Sequence, residues 1–109
     1  ALTMVLPVEG KQVQSLNPGS LNIGLRVPAC ELAIELLSKC GPLATTSANI
    51  AGCSPTRNAE QAANCFPGVP LLGPLPWPIA SGLASTVILW RSRGHWQVLR
   101  KGAVMIREV

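Results

Sequence analysis

The sequence contains no aspartate and only one histidine, His95. A nucleophilic triad needs a histidine with a carboxylate partner, but the sequence neighbours of His95 are Gly94 and Trp96. We therefore predict that His95 lies at a surface turn. The acidic residues are scattered glutamates, and the spacing of Glu31 and Glu35 is typical of a solvated pair on one helix face. Acid–base and covalent catalysis by this chain are weakly supported.

The sequence also lacks any Cys-x-x-Cys pair, so the spacing that zinc sites need is missing. Its four cysteines are Cys30, Cys40, Cys53 and Cys65. All but Cys53 fall in or beside apolar segments with helical spacing, where a free cysteine behaves as a small hydrophobic residue. We predict free thiols in a reduced, cytoplasmic protein.

No apolar run approaches the roughly 20 residues of a membrane span, so no membrane partner is expected. What the 109 residues do contain is 48 % hydrophobic and 13 % charged residues, which indicates one globular domain rather than a disordered tail or a coiled coil. The net charge is +4, and five of the nine cations fall in the last 19 residues. This basic end suits a phosphate, a nucleotide or RNA, or else it is a solvated strand edge protected by charge.

Apolar spacing and turn residues predict the order of the elements along the chain. Strands are predicted at 2–8, 21–27, 42–46, 85–90 and 96–101, with a short one at 69–72. Helices are predicted at 29–40, ended by Gly41, and at 56–65, capped by Thr56. The polar stretch 11–20 is predicted to be a turn, and 66–84 a proline-rich connection. This order predicts an α/β (α+β) fold with a mixed sheet.

Three segments carry groups that can bind an anionic ligand at strand ends. Arg26 ends the second predicted strand, Ser47 and Asn49 follow the third, and Ser85 opens a strand whose predicted partner carries Arg100. Arginine forks match carboxylates and phosphates, and ligands of open α/β sheets lie beyond strand ends. Each segment alone also fits a plainer role: a surface ion pair, a turn cap or an ordinary strand start. Together they predict a pocket for a nucleotide and a small polar acid.

The same segments resemble the YrdC-type threonylcarbamoyl-AMP synthase family. The resemblance rests on Leu-Thr-Met-Val-Leu at 2–6, Ile-Gly-Leu-Arg-Val-Pro at 23–28, Thr-Ser-Ala-Asn-Ile-Ala-Gly at 46–52, Ser-Thr-Val-Ile at 85–88 and Val-Leu-Arg-Lys-Gly-Ala at 98–103. It implies a YrdC-like twisted mixed sheet with flanking helices. Residues 1–109 are expected to be the C-terminal portion of a single YrdC-like domain, because the first half of the family's domain has no counterpart in them.

The resemblance implies synthesis of threonylcarbamoyl-AMP and pyrophosphate from L-threonine, bicarbonate and ATP, with Mg²⁺ as the expected metal. The product serves the threonylcarbamoyl modification of tRNA adenosine, so tRNA and its modification enzymes are the expected partners. The reacting groups belong to the substrates, and the protein supplies positioning and charge stabilisation. A site without an obvious general base is then expected.

The resemblance also assigns residues to ligands. It implies that the threonine site contains Arg26, Ser47 and Ser85. It also implies that the ATP site contains Asn22, Asn49, Arg100 and Thr56, with Ser54 as the alternative to Thr56. Asn22 stands where the family usually has threonine. Leu89 or Trp90 stands where it usually has aspartate.

Other interpretations stay open at this point. A carbamoyl-adenylate domain of a hydrogenase-maturation protein shares the fold, but it normally lies in a longer chain with zinc-finger cysteines. An RNA-binding YrdC-like module without catalysis is the alternative function, although Trp90 and Trp96 fit hairpin packing better than base stacking. A lone fragment is expected to be inactive and to self-associate through exposed strand edges.

Overall fold

The computed structural model describes residues 1–107, so Glu108 and Val109 of the predicted domain lie outside the described residues. The described residues form β1 (Leu2–Pro7), α1 (Lys11–Leu16), β2 (Asn22–Leu25), α2 (Glu31–Cys40), α3 (Ala59–Cys65), β3 (Thr86–Ser92) and β4 (His95–Arg100). Two compact units contain these elements. The sheet unit comprises Ala1–Cys30 and the segment from Leu83 onward, and the helical unit comprises residues 31–82.

The sheet in this part of the chain has four strands in the order β2-β1-β3-β4. β1 pairs antiparallel with β2 and parallel with β3, and β3 pairs antiparallel with β4. The predicted mixed sheet and α/β class are therefore confirmed. This topology makes β1 and β3 begin at the end of the sheet where β2 and β4 finish. We call this end, which carries Arg26 and Arg100, the basic end.

The apolar core of the sheet unit is small. Its buried hydrophobic residues are Val13 and Ile88, one on α1 and one in the middle of β3. α1 lies in the stretch 11–20, where a turn was predicted, so that prediction is wrong over Lys11–Leu16. The helix has six residues and one buried side chain, which is too little apolar periodicity to be recognised in a sequence.

α2 confirms the helix predicted at 29–40. It ends at Cys40, and Gly41 follows with φ +79 and donates its N–H to the carbonyl of Leu37 at 2.8 Å. This left-handed conformation is one that glycine adopts without a steric penalty. Glu35 forms an exposed ion pair with Lys39 at 3.5 Å, which agrees with a solvated glutamate face rather than a catalytic one.

α3 begins later than predicted. Asn58 caps it, since its side-chain oxygen accepts the N–H of Gln61 at 2.8 Å. Thr56, the predicted cap, instead donates its backbone N–H to the carbonyl of Ala48 at 2.9 Å. The prediction of Thr56 as the cap is wrong because asparagine is the better N-cap and stands directly before the helix.

Two predicted strands of the helical unit, 42–46 and 69–72, are not strands in the structure. An apolar run becomes a strand only if a neighbour accepts and donates its backbone hydrogen bonds, and the prolines at 42 and 70 have no N–H to donate. Leu71 and Leu75 instead line an open apolar hollow with Ala63 of α3. Trp77 also lines this hollow and donates its indole N–H to the carbonyl of Leu72 at 2.7 Å.

The β3–β4 hairpin confirms the predicted C-terminal strand pair, although both strands are shifted by one or two residues. The tight turn consists of Arg93 and Gly94, and His95 follows it as an exposed residue. Trp90 and Trp96 are direct cross-strand partners, as expected of hairpin packing. β2 and β4 are the edge strands of the described sheet, and self-association through them stays a prediction.

The cysteines are free, as predicted, but all four are exposed. The expected hydrophobic packing of Cys30, Cys40 and Cys65 is therefore wrong: α2 and α3 bury no residue. Residues 1–107 contain no group of three His, Cys, Asp or Glu side chains that could bind a metal ion. No helix in this range is long and apolar enough to cross a bilayer.

Candidate functional site

The strand register brings candidate residues to the basic end of the sheet. Met4 pairs with Leu25, so Arg26 follows β2 at the end where Thr3 lies. Thr3 in turn pairs with Val87, and Val87 pairs with Arg100. Directly paired residues share one face of a sheet, so Thr3 and Arg100 project from the same face. Two strand ends that lie far apart along the chain thus carry arginines at the same end of the sheet, on its opposite edge strands β2 and β4.

The guanidinium of Arg100 donates hydrogen bonds to Ser85, the residue that precedes β3. Its Nε and Nη2 donate to the carbonyl oxygen of Ser85 at 3.0 and 2.8 Å, and Nη2 also donates to Ser85 Oγ at 3.0 Å. Ser85 Oγ lies 2.8 Å from Thr3 Oγ1, and Ser85 is only 6 % exposed. The structure therefore places Arg100 in contact with Ser85, and the ligand roles of both residues stay predictions. It adds Thr3, a residue that the sequence reasoning missed.

Thr86 fixes the chain that follows β4. It is 1 % exposed, and its Oγ1 donates to the carbonyl of Val104 at 2.6 Å. The same oxygen accepts the backbone N–H groups of Gly102 and Val104 at 3.1 and 3.0 Å. One hydroxyl thus satisfies three backbone groups of residues 102–104. The signal in the sequence was the Ser-Thr pair, of which only the serine was assigned a role.

Gly102 passes against the backbone that leads into β3. A Cβ at this position would lie 2.3 Å from the carbonyl oxygen of Ala84 and 2.5 Å from the carbonyl carbon of Ser85. Only glycine leaves room for this approach, and Ala103 then donates its N–H to the same Ala84 carbonyl at 2.9 Å. The glycine two residues after Arg100 therefore positions the segment that Arg100 and Thr86 hold.

Asn22 lies away from this cluster. It pairs with Pro7 at the opposite end of β2, and its backbone N–H donates to Ser20 Oγ at 3.1 Å. At about 3.3 Å of rise per strand residue, Asn22 and Arg26 are separated by roughly 13 Å along the strand. A ligand that contacts both must therefore extend along β2.

The other candidates lie in one loop of the helical unit. Asn49 donates its side-chain amide to the carbonyls of Ile50 and Cys53, both at 3.2 Å, and its backbone N–H to the carbonyl of Ser47 at 3.0 Å. Thr56 is tied to this turn through its backbone bond to Ala48. Ser47, Asn49 and Thr56 thus share one hydrogen-bonded loop, and Asn49 caps a turn, one of the two roles that the sequence left open. Their ligand roles stay predictions.

The Arg100 fork is expected to stabilise the sheet unit measurably. Arg100→Lys keeps the positive charge, but a lysine cannot donate to one carbonyl oxygen through two nitrogens. We therefore expect the free energy of unfolding to fall by about 1–2 kcal/mol. Arg91→Lys is the matched control: its guanidinium donates through Nε to the exposed side chain of Gln97 at 2.8 Å, and we expect a loss below about 0.5 kcal/mol. Urea unfolding of both variants is the measurement. Equal shifts of the two midpoints would show that the Arg100–Ser85 contact stabilises the chain no more than the exposed Arg91–Gln97 contact does.

Comparison with known proteins identifies the family of this chain. The model of the Sua5/YciO/YrdC family, described as telomere recombination, matches residues 1–102. Two proteins from two strains of Mycobacterium tuberculosis, which bear the provisional name threonylcarbamoyl-AMP synthase, are each 43 % identical over 63 residues. The match covers 57 % of this chain and 29 % of each relative. No solved structure matches the chain.

Proposed function

The chain belongs to the Sua5/YciO/YrdC family, and we propose on this basis that it supplies the part of a threonylcarbamoyl-AMP synthase that binds the threonine carboxylate and the ATP phosphates. The observation that supports the proposal is the contact of Arg100 with Ser85 at the end of the sheet that also carries Arg26. The name carried by the two mycobacterial relatives agrees with it.

The proposed reaction asks little acid–base work of the protein. Bicarbonate loses water to give CO2, and the amine of threonine attacks this CO2 and releases a proton to water, which gives a carbamate. A carbamate oxygen then attacks the α-phosphorus of ATP. A P–O bond forms to the carbamate, the bond to the β-phosphate oxygen breaks, and pyrophosphate leaves. A chain without aspartate and with arginines at a strand end suits this chemistry, because both substrates are anions that must be held together against their mutual repulsion.

In this proposal Arg26 pairs with the threonine carboxylate, since a guanidinium fork matches a carboxylate. Ser85 and Ser47 complete the threonine contacts. Arg100 already uses Nε and Nη2 on Ser85, so we assign its Nη1 to a phosphate oxygen of ATP. Asn22, Asn49 and Thr56 are the remaining ATP contacts that we propose.

Mg²⁺ fits this site as a companion of ATP. Residues 1–107 offer no cluster of three side chains that could bind a metal ion, and Mg²⁺ commonly takes its ligands from phosphates and water. We propose that it enters as the Mg–ATP complex. The product would serve tRNA modification in the cytoplasm, with tRNA-modifying enzymes as partners.

Binding to the 109-residue chain is the primary test, because the matched segment is 29 % of each relative. Titration calorimetry with threonine and with Mg–ATP is run beside a pyrophosphate-release assay that contains bicarbonate. Arg26→Ala is expected to weaken threonine binding about tenfold to hundredfold, since one charged fork is lost, while ATP binding changes less than about twofold. Lys11→Ala removes an exposed cation of the same unit and should change neither. Unchanged threonine affinity in Arg26→Ala would refute the threonine assignment.

A further inference from the structure

Two hydroxyl groups meet at the basic end of the sheet: Thr3 Oγ1 lies 2.8 Å from Ser85 Oγ. Thr3 is the second residue of β1, and Ser85 directly precedes β3. The two residues are 82 positions apart along the chain, and the parallel pairing of β1 with β3, which begins with Leu2 and Thr86, brings them together. The hydroxyl pair is therefore set by the strand register of the sheet.

The neighbours of Thr3 on both sides determine where its side chain points. β1 lies between β2 and β3 in the sheet. A Cβ on Gly24 of β2 would lie 3.5 Å from Thr3 Cγ2, so the methyl group of Thr3 is directed to a residue that has no side chain. The hydroxyl is directed to the other side, where it meets Ser85. A β-branched side chain has few χ1 rotamers, so Thr3 keeps this orientation.

The hydrogen bonds of Ser85 Oγ leave its own proton available for a ligand. A serine hydroxyl accepts two hydrogen bonds and donates one. Arg100 has no acceptor atom in its guanidinium, so its Nη2 donates to Ser85 Oγ at 3.0 Å and fills one acceptor position. When Thr3 donates as well, both acceptor positions are filled. The proton of Ser85 is then directed to a third group.

The cation beside Ser85 determines which chemical group this proton suits. A hydrogen bond accepted from a guanidinium polarises the serine hydroxyl and makes its O–H a stronger donor. Ser85 is 6 % exposed, so water competes little for that donor. A carboxylate oxygen has the lone pairs and the negative charge to accept it, whereas an ammonium group has neither.

We infer, on the basis of the proposed function in which Ser85 contacts threonine, that Thr3 is a positioning residue: its hydroxyl donates to Ser85 Oγ and directs the Ser85 proton to an oxygen of the threonine carboxylate. The two oxygens of a carboxylate accept about four hydrogen bonds, so Ser85 and the proposed Arg26 fork can share it. Thr3 itself does not touch the substrate.

Titration calorimetry of the chain with L-threonine and with Mg–ATP tests this role. Thr3→Val keeps the shape of the side chain but removes the donor, so we expect threonine binding to weaken about tenfold while Mg–ATP binding changes less than about twofold. Thr3→Ser restores the hydroxyl and is expected to bind threonine within about threefold of the unsubstituted chain. Thr45→Val, the same substitution at an exposed position, should change neither affinity.

A double-mutant cycle shows whether Thr3 acts through Ser85. Ser85→Ala leaves no hydroxyl to position, so in that background Thr3→Val is expected to change threonine affinity less than about twofold. Equal weakening by Thr3→Val in both backgrounds would overturn the inference. Loss of threonine and Mg–ATP binding together in Thr3→Val would also overturn it, because that result marks a structural role.

The Arg26→Ala variant separates a failure of this role from a failure of the proposed function. If Arg26→Ala weakens threonine binding and Thr3→Val does not, the positioning role of Thr3 is refuted and the threonine site stands. If the unsubstituted chain binds no threonine, the proposed function is refuted, and the role of Thr3 with it.

Discussion

Replacing Gly102 with alanine is expected to destabilise the chain by about 3 kcal/mol or more, because the new Cβ cannot be accommodated without moving backbone atoms. It would lie 2.3 Å from the Ala84 carbonyl oxygen and 2.6 Å from the Ser85 carbonyl oxygen. Main-chain atoms cannot rotate away as the end of a side chain can. Moving Ser85 also pulls its carbonyl away from the Arg100 fork.

The measurement for Gly102→Ala is urea unfolding followed by far-UV circular dichroism. Gly24→Ala is the matched control within the same sheet, since its Cβ would meet only Thr3 Cγ2 at an ordinary 3.5 Å. We expect the free energy of unfolding of the control to lie within about 0.5 kcal/mol of that of the unsubstituted chain. With only Val13 and Ile88 as buried hydrophobic residues among those described, Gly102→Ala is expected to be largely unfolded without urea. A midpoint equal to that of Gly24→Ala would contradict the close approach.

The sheet could be predicted from the sequence because its signals are local. The β3–β4 hairpin combines two apolar runs with a turn at Gly94, and β2 follows the turn residues at 17–19. These patterns depend on chain stiffness and residue size within a few positions, so they can be read from the sequence alone. The sequence predicted a mixed sheet but not which strands pair in parallel, because the pairing of β1 with β3 joins distant segments of the chain.

The helical unit was predicted less well because its structure depends on which segments of the chain hydrogen-bond to one another. The run at 42–46 has the composition of a strand, yet no strand forms there. Thr56 and Asn58 both qualify as helix caps by type, and only the position at which helical hydrogen bonding begins decides between them. Context along the rest of the chain decides the first choice, whereas the stronger capping preference of asparagine decides the second.

The sequence predicted those candidate site residues whose side chains have a distinctive chemistry. It missed the residues that act through contacts with the main chain. Arg26 and Arg100 were recognisable because a guanidinium fork matches the geometry of carboxylates and phosphates. Thr86 and Gly102 gave no such signal: one is a hydroxyl that faces only main-chain groups, and the other is the absence of a side chain. Their roles depend on a contact between the start of β3 and the segment after β4, which are 16 positions apart in the sequence.

Replacing Thr86 with valine is expected to cost about 3–5 kcal/mol, since it keeps the volume but removes the hydroxyl that three backbone groups share. The N–H groups of Gly102 and Val104 and the carbonyl of Val104 then lose their partner beside a residue that is 1 % exposed. Water cannot replace the hydroxyl where valine methyls fill the space. Residues 102–104 are therefore expected to detach from the start of β3.

Thr86→Ser separates this effect from packing, because it keeps the hydroxyl and removes only a methyl group. We expect it to cost about 1 kcal/mol, and Thr45→Val, at an exposed position, to change the free energy of unfolding by less than about 0.5 kcal/mol. Urea unfolding ranks the three variants by their free energy of unfolding. Hydrogen exchange at the Gly102 and Val104 amides shows whether the lost hydroxyl is the cause, because both amides should exchange faster in Thr86→Val alone. If Thr86→Val and Thr86→Ser unfold at the same midpoint, the hydroxyl does not fix this segment, and the stability of the basic end must come from the Arg100 fork.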